Sequence, residues 1–178
     1  MILTVPALGR SFTLVLSLML LLIPGCSSEN KRPNILLLTL DTTRADHLGC
    51  YGHAGAETPN LDRLAHQGVR FAEARTAIPI TLPSHTSILT GTYPPTHGVH
   101  QHTDPFTIQE IPTLAEILGR HGYETAAFIG AKVLDAEFGL NRGFDLYDDQ
   151  TGEREDGSEW HSLQAEAVTQ KARNWFDN

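Results

Sequence analysis

Two short segments hold residue types suited to hydrolytic chemistry. The first is Asp41-Thr42-Thr43-Arg44-Ala45-Asp46, where a carboxylate closes an apolar run and enters a loop. A carboxylate so placed is a candidate ligand for a hard divalent cation, which prefers oxygen donors. Asp and Thr also favour turns and helix caps, so capping is the competing reading. The second segment is Ile80-Thr81-Leu82-Pro83-Ser84-His85-Thr86-Ser87, with hydroxyls at a predicted helix start. Free amides and the helix dipole stabilise an anion there. A hydroxyl at that point suits attack on a phosphate or sulfate centre, and a nearby metal would lower its pKa and clamp the equatorial oxygens. Capping competes here too, with Thr81 or Ser84 satisfying free N–H groups. His85 lies four residues after Thr81 and is an acid/base candidate near neutral pH. It would orient or deprotonate Thr81, unless the helical turn points it elsewhere.

The elements that must position these residues read as alternating strand and helix. Asn34 to Leu40, NILLLTL, is a nearly continuous apolar run of the kind buried in a parallel sheet. It places Asp41 at the C-terminal end of a strand, where open α/β sheets put their ligands. Thr58 to Ala65 begins a helix, with Thr58 as cap and Pro59 at its first position, and Gly68 ends it. Val69 to Ala74 is a candidate second strand. Helices are predicted from Pro83 to Leu89, stopped by Gly91, and from Pro112 to Arg120, with Leu114, Ile117 and Leu118 on one stripe. Tyr123 to Ile129 is strand-like, Phe144 to Glu159 reads as an acidic loop, and Trp160 to Phe176 as an amphipathic helix. The order implies an α/β fold with a mostly parallel sheet flanked by helices.

The chain has 178 residues and a formal charge of −8, with 13 Lys and Arg against 21 Asp and Glu. No basic stripe offsets that balance, so nucleic acid is not an expected partner. Two cysteines, Cys26 and Cys50, exclude a disulfide scaffold, and Cys50 reads as a small buried hydrophobe. Phe12 to Ile23 is apolar, follows Arg10, and is shorter than the roughly 20 residues that span a bilayer. A basic flank, a short apolar core and small residues describe an export signal at residues 1–25. Ile23-Pro24-Gly25-Cys26-Ser27-Ser28 resembles a bacterial lipobox, which makes Cys26 the lipidation site and residues 26–31 a polar tether. The alternatives are a plain signal cut nearby and an uncleaved anchor. The lipobox reading implies an exported lipoprotein held at the membrane of the cell envelope.

Taken together, the two segments and their surroundings resemble the sulfatase family of the alkaline phosphatase superfamily. The likeness runs through Arg32-Pro33-Asn34-Ile35 to Asp41, Arg44 to Gly52, Thr58 to Ala65 and Gly68 to Phe71. It continues through Ser84 to Gly98, SHTSILTGTYPPTHG, and Gly122 to Ala126. It covers about residues 32–148 and implies the N-terminal part of an alkaline phosphatase/sulfatase-like domain over 32–178. Asp41 matches the family's first acidic metal ligand. Thr42 stands where many members have a second Asp, offering a hydroxyl in its place. Thr81 falls at the nucleophile of the Cys/Ser-x-Pro-x-Arg motif, where it would also touch the metal. Pro83 and Ser84 match that motif, and His85 replaces its Arg.

Members convert the Cys or Ser to formylglycine, a maturation not expected of Thr. The resemblance therefore implies a direct Thr alkoxide, as in phosphodiesterase and phosphoglycerol-transferase relatives. It implies a divalent metal: Ca²⁺ or Mg²⁺ if the site is sulfatase-like, Zn²⁺ or Mn²⁺ if phosphodiesterase-like. The substrate would be a small-molecule, glycan or lipid ester of sulfuric or phosphoric acid. His97 falls inside the matched Tyr-Pro-x-x-His-Gly block and reads as pocket-lining, for substrate binding, or structural. His97, His100 and His102 do not have a structural zinc spacing. Lys132, in Gly130-Ala131-Lys132, is displaced by one residue from the family's Gly-Lys-x-x-His block and reads as a surface lysine. The family's further metal ligands are expected downstream of Asn178. Two other readings stay open: a non-catalytic surface lipoprotein that keeps the fold as a binding module, and an inactive truncated fragment.

Overall fold

The computed structural model of the chain describes residues 32–150 and 163–177. The expected export signal, Cys26 and the tether lie outside the described residues. Contacts divide the chain after Leu40 into Met1–Leu40 and Asp41–Asn178. In the first unit, residues 32–40 contain no strand. The apolar run predicted as a buried strand is exposed, with Leu36 at 72% and Leu38 at 67%. A strand buried on both faces needs ladder partners, and the strands described in this chain pair with each other. Asp41 accordingly opens a turn rather than ending a strand.

In the second unit, α1 is Pro59–Gln67, α2 Thr81–Thr90, α3 Pro94–His97, α4 Leu114–Arg120 and α5 Ala165–Phe176. Strands β1, Ala126–Phe128, and β2, Leu146–Asp148, are parallel, with Ala126 opposite Leu146 and Phe128 opposite Asp148. Parallel neighbours require a long crossover. Here residues 129–145 supply it, through short 3₁₀ turns at Lys132–Leu134 and Ala136–Phe138. Helix α5 packs on β1, with Trp175 against the Phe128 ring at 6.3 Å.

Two further expectations change. Val69 to Ala74 is irregular, with Val69 83% exposed, and is tied down instead by Tyr51 Oη, which donates to the Phe71 carbonyl at 2.8 Å. The acidic stretch after Phe144 contains β2, a strand of three residues and so too short to show a period of two. Thr58 also acts differently from a helix cap. Its hydroxyl accepts the Gly49 N–H at 3.0 Å and donates to the Asp62 carboxylate, joining α1 to the Gly49–Tyr51 turn.

The core is Leu82, Val99, Phe106, Leu134 and Leu140, with Leu89, Ile108, Ile111 and Val133 packed against it. Leu82 belongs to the first turn of α2 and is fully buried. Arg142 spans the edge of this core. Its guanidinium lies 5.0 Å from the Phe106 ring centroid, donates to the Ile108 carbonyl and pairs with Glu116 at 2.9 Å. Glu116 in turn closes a capping box with Thr113 at the start of α4. Burial opposes ionisation of Glu116, but the Thr113 amide and the Arg142 guanidinium outweigh it and hold its carboxyl below the usual range.

Candidate active site

The first turn of α2 presents Thr81. Ile80 precedes it with extended backbone, and the ladder begins when the Ser84 N–H donates to the Ile80 carbonyl at 3.0 Å. Pro83 sits in that first turn, where a missing N–H costs nothing because no helical carbonyl would receive it. Leu82 and Pro83 are buried, and the Thr86 hydroxyl donates to the Leu82 carbonyl at 2.8 Å. The turn is therefore anchored from below. Thr81 remains half-buried at the positive end of the helix dipole. Gly91 ends the helix in the left-handed region, at φ 66°, where a side chain would be strained.

Asp41 meets Thr81 across 40 residues of sequence. The Thr81 Oγ1–H donates to Asp41 Oδ2 at 3.0 Å. The other carboxylate oxygen, Oδ1, accepts the Thr42 main-chain N–H at 2.9 Å. Thr42 has a left-handed backbone, φ 58°, a strained conformation for a β-branched residue. No sequence signal marks it, because Thr is a residue that avoids that region.

His85 is also close, but to a different atom of Thr81. Its Nδ1 lies 2.8 Å from the Thr81 main-chain carbonyl. A carbonyl only accepts, so Nδ1 carries the proton, and the ring braces the backbone of Thr81 rather than receiving its hydroxyl proton through that nitrogen. The Ser84 hydroxyl is 3.2 Å from that of Thr76.

His97 takes the structural side of its two readings. It is 1% exposed. Its Nδ1 accepts the Val99 N–H at 3.1 Å, so Nε2 carries the proton and donates to Ser87 Oγ at 2.9 Å. Both ring nitrogens are engaged: Nε2 joins α3 to α2, and Nδ1 holds the backbone just after α3. Burial pushes the imidazole pKa down, and His100 adds to the shift. Among the described residues, no group of three His, Cys, Asp or Glu side chains is arranged to hold a metal. Lys132 is engaged as well: it pairs with Asp135 and, at 3.2 Å, with Glu137, which raise its pKa. Cys50 is a free thiol and half-buried.

Asp41 Oδ2 and Thr81 Oγ1 are both hard oxygen donors, 3.0 Å apart and open to solvent. Adjacent ligands of an octahedral cation with bonds of about 2.1 Å lie about 3 Å apart, so the pair fits one edge of such a shell.

Residues 33–176 match the family described as Sulfatase. The chain belongs to the sulfatase family. It is 30% identical over 183 residues to N-acetylglucosamine-6-O-sulfatase of Bacteroides thetaiotaomicron, covering 93% of this chain and 32% of that protein. It is 36% identical to human arylsulfatase A over 115 residues, covering 61% of this chain and 22% of the relative. Among solved structures, BT4656 in complex with its substrate D-glucosamine-2-N,6-O-disulfate superposes with a TM-score of 0.68 at 29% identity. That superposition covers 83% of this chain and 32% of the other. The phosphonate monoester hydrolase of Agrobacterium radiobacter gives 0.57 at 30% identity, over 65% and 25%. The chain thus spans about a third or less of the relatives it matches. These neighbours share the alkaline phosphatase fold, and the described residues of this chain carry a part of it, two parallel strands with helices. The sulfatase family is generally divalent-metal dependent.

Proposed function

We propose that the protein is a metal-dependent hydrolase of sulfuric or phosphoric esters in which Thr81 is the nucleophile. The observation that carries this reading is the hydrogen bond from Thr81 Oγ1 to Asp41 Oδ2, 3.0 Å long, at the N-terminus of a core-anchored helix. Asp41 and Thr81 would hold a divalent cation, which when bound supplies positive charge against the developing oxyanion.

The chain's own residues account for the other steps. Asp41 orients the hydroxyl and offers Oδ2 for its proton. Thr81 Oγ forms a bond to sulfur or phosphorus as the ester oxygen departs and is protonated from solvent. Water then cleaves the Thr81 ester and restores the hydroxyl. The helix N-terminus favours the anion by about 0.3–1 kcal/mol at an exposed site. His85 keeps the Thr81 backbone in place through the carbonyl.

The likeness to sugar, aryl and phosphonate ester hydrolases supports an ester of a strong oxyacid on a glycan, lipid or small molecule. The residue 10–28 pattern supports export and anchoring in the cell envelope through Cys26. The test is turnover of an aryl sulfate and a bis-aryl phosphodiester with added Ca²⁺, Mg²⁺, Mn²⁺ or Zn²⁺. Thr81→Ala abolishes turnover if the reading holds. Activity unchanged in that variant refutes the nucleophile.

A further inference from the structure

Thr42 is the only non-glycine among the described residues with a left-handed backbone, φ 58°. A β-branched side chain suits that region poorly, and such conformations persist only where the surroundings impose them. Here the strained residue directly follows Asp41. Its N–H donates to Asp41 Oδ1 at 2.9 Å, while Oδ2 receives the Thr81 hydroxyl at 3.0 Å. The two oxygens of one carboxylate are thus divided between a main-chain amide and the candidate nucleophile.

We propose that Thr42 is a positioning residue that acts through its backbone, not a metal ligand that acts through its hydroxyl. The amide fixes the rotation of the Asp41 carboxylate so that Oδ2 faces Thr81. The side chain is incidental to this role. Residues that tolerate positive φ and keep an N–H, Gly and Asn, fill the position at least as well as Thr. Pro fills it least well, since it has no N–H and its φ is fixed negative. The catalytic consequence rests on the Asp41–Thr81 reading, whereas the backbone geometry does not.

The full chain is tested in two ways. In solution NMR, Asp41→Ala is expected to shift the Thr42 amide proton upfield, as its charged acceptor is lost. Thr42→Gly and Thr42→Asn are expected to keep the residue 42 amide downfield. An amide that does not respond to Asp41→Ala overturns the proposal, whether or not substrate is turned over.

In hydrolysis of the aryl sulfate and the bis-aryl phosphodiester, Thr42→Gly, Thr42→Asn and Thr42→Val are expected to stay within about three-fold of the parent kcat/KM. Loss of a positioning partner typically costs about 10–100-fold, the range expected for Thr42→Pro. If Thr42→Ser alone retains activity while Gly, Asn and Val each lose ten-fold or more, the hydroxyl is the working group and the proposal falls. An unchanged Thr81→Ala variant refutes the Thr81 nucleophile instead, and the NMR result still decides the role of Thr42.

Discussion

Replacing Asp41 with Asn separates catalysis from stability at the candidate site. The substitution keeps the size of the side chain and one carbonyl-type acceptor, but removes the charge and the capacity to take a proton. Oδ2 is 3.0 Å from Thr81 Oγ1, within reach for direct proton transfer. General-base assistance of this kind contributes about 10²–10⁴-fold. At about 1.36 kcal/mol per decade, that is about 2.7–5.4 kcal/mol of transition-state stabilisation. The ground-state contribution is far smaller. Asp41 is exposed, so solvent screens its hydrogen bond, and exposed substitutions usually alter stability by less than about 0.5 kcal/mol. Asp41→Asn is therefore expected to lower kcat/KM on the aryl sulfate or phosphodiester by at least about 100-fold with no appreciable change in Tm. Thr81→Ser, which keeps a hydroxyl next to Asp41, is expected to retain most activity. If Asp41→Asn stays within about five-fold of the parent, the carboxylate neither takes the proton nor holds the metal, and the reasoning fails.

The scaffold yields three more expectations. Leu82 is fully buried under the Thr81 turn, so Leu82→Ala should cost about 2–5 kcal/mol in chemical denaturation, while a conservative Leu82→Met costs under about 1.5. Arg142→Ala leaves the half-buried Glu116 without its partner and should cost about 3 kcal/mol or more, against little for Arg70→Ala on the exposed Tyr51 ring. His97 is buried and neutral, with its pKa held below the ordinary 6.5 by burial and by His100. Its contribution is full above pH 6.5. As pH falls below 6.5 towards the lower folded-state value, the unfolded chain takes up a proton that Nδ1, occupied by the Val99 N–H, resists. Stability should therefore fall below pH 6.5 in urea melts, and His97→Asn should flatten that slope; an unchanged slope assigns it to other groups.

Start and stop residues located α1 and α2, an apolar stripe located α4 and an amphipathic pattern α5, whereas the four-residue α3 was not among the predicted helices. Leu82 and Leu89 lie on the core side of α2, and Gly91 stops the helix where expected. The predicted helix at Pro112–Arg120 appears as α4, shortened at its start because Thr113 is taken by the capping box with Glu116. That Thr-x-x-Glu signal was present in the sequence. Strands were less legible. Asn34–Leu40 has the composition of a buried strand, yet composition expresses only what a segment would gain if partners covered it. β2 posed the opposite problem: three residues within an acidic stretch pair with β1 because the crossover delivers them there.

The candidate site divides along the same physical line. Residue type marked the two segments as candidates, the family resemblance singled out Asp41 and Thr81 within them, and folding brings their side chains together. The roles of the histidines depended on which atom each ring nitrogen meets. His85 lies one turn from Thr81, which permits contact with either the hydroxyl or the carbonyl, and the regular helix presents the carbonyl of residue i−4 to it. His97 carries the same chemistry but is buried where α3 closes on α2, and its Nε2 links the two helices through Ser87. Thr42 contributes through a dihedral angle, which its residue type argues against. A site built partly from main-chain geometry is therefore visible only after folding, and side-chain motifs alone miss the amide that meets one oxygen of the Asp41 carboxylate while the other meets Thr81.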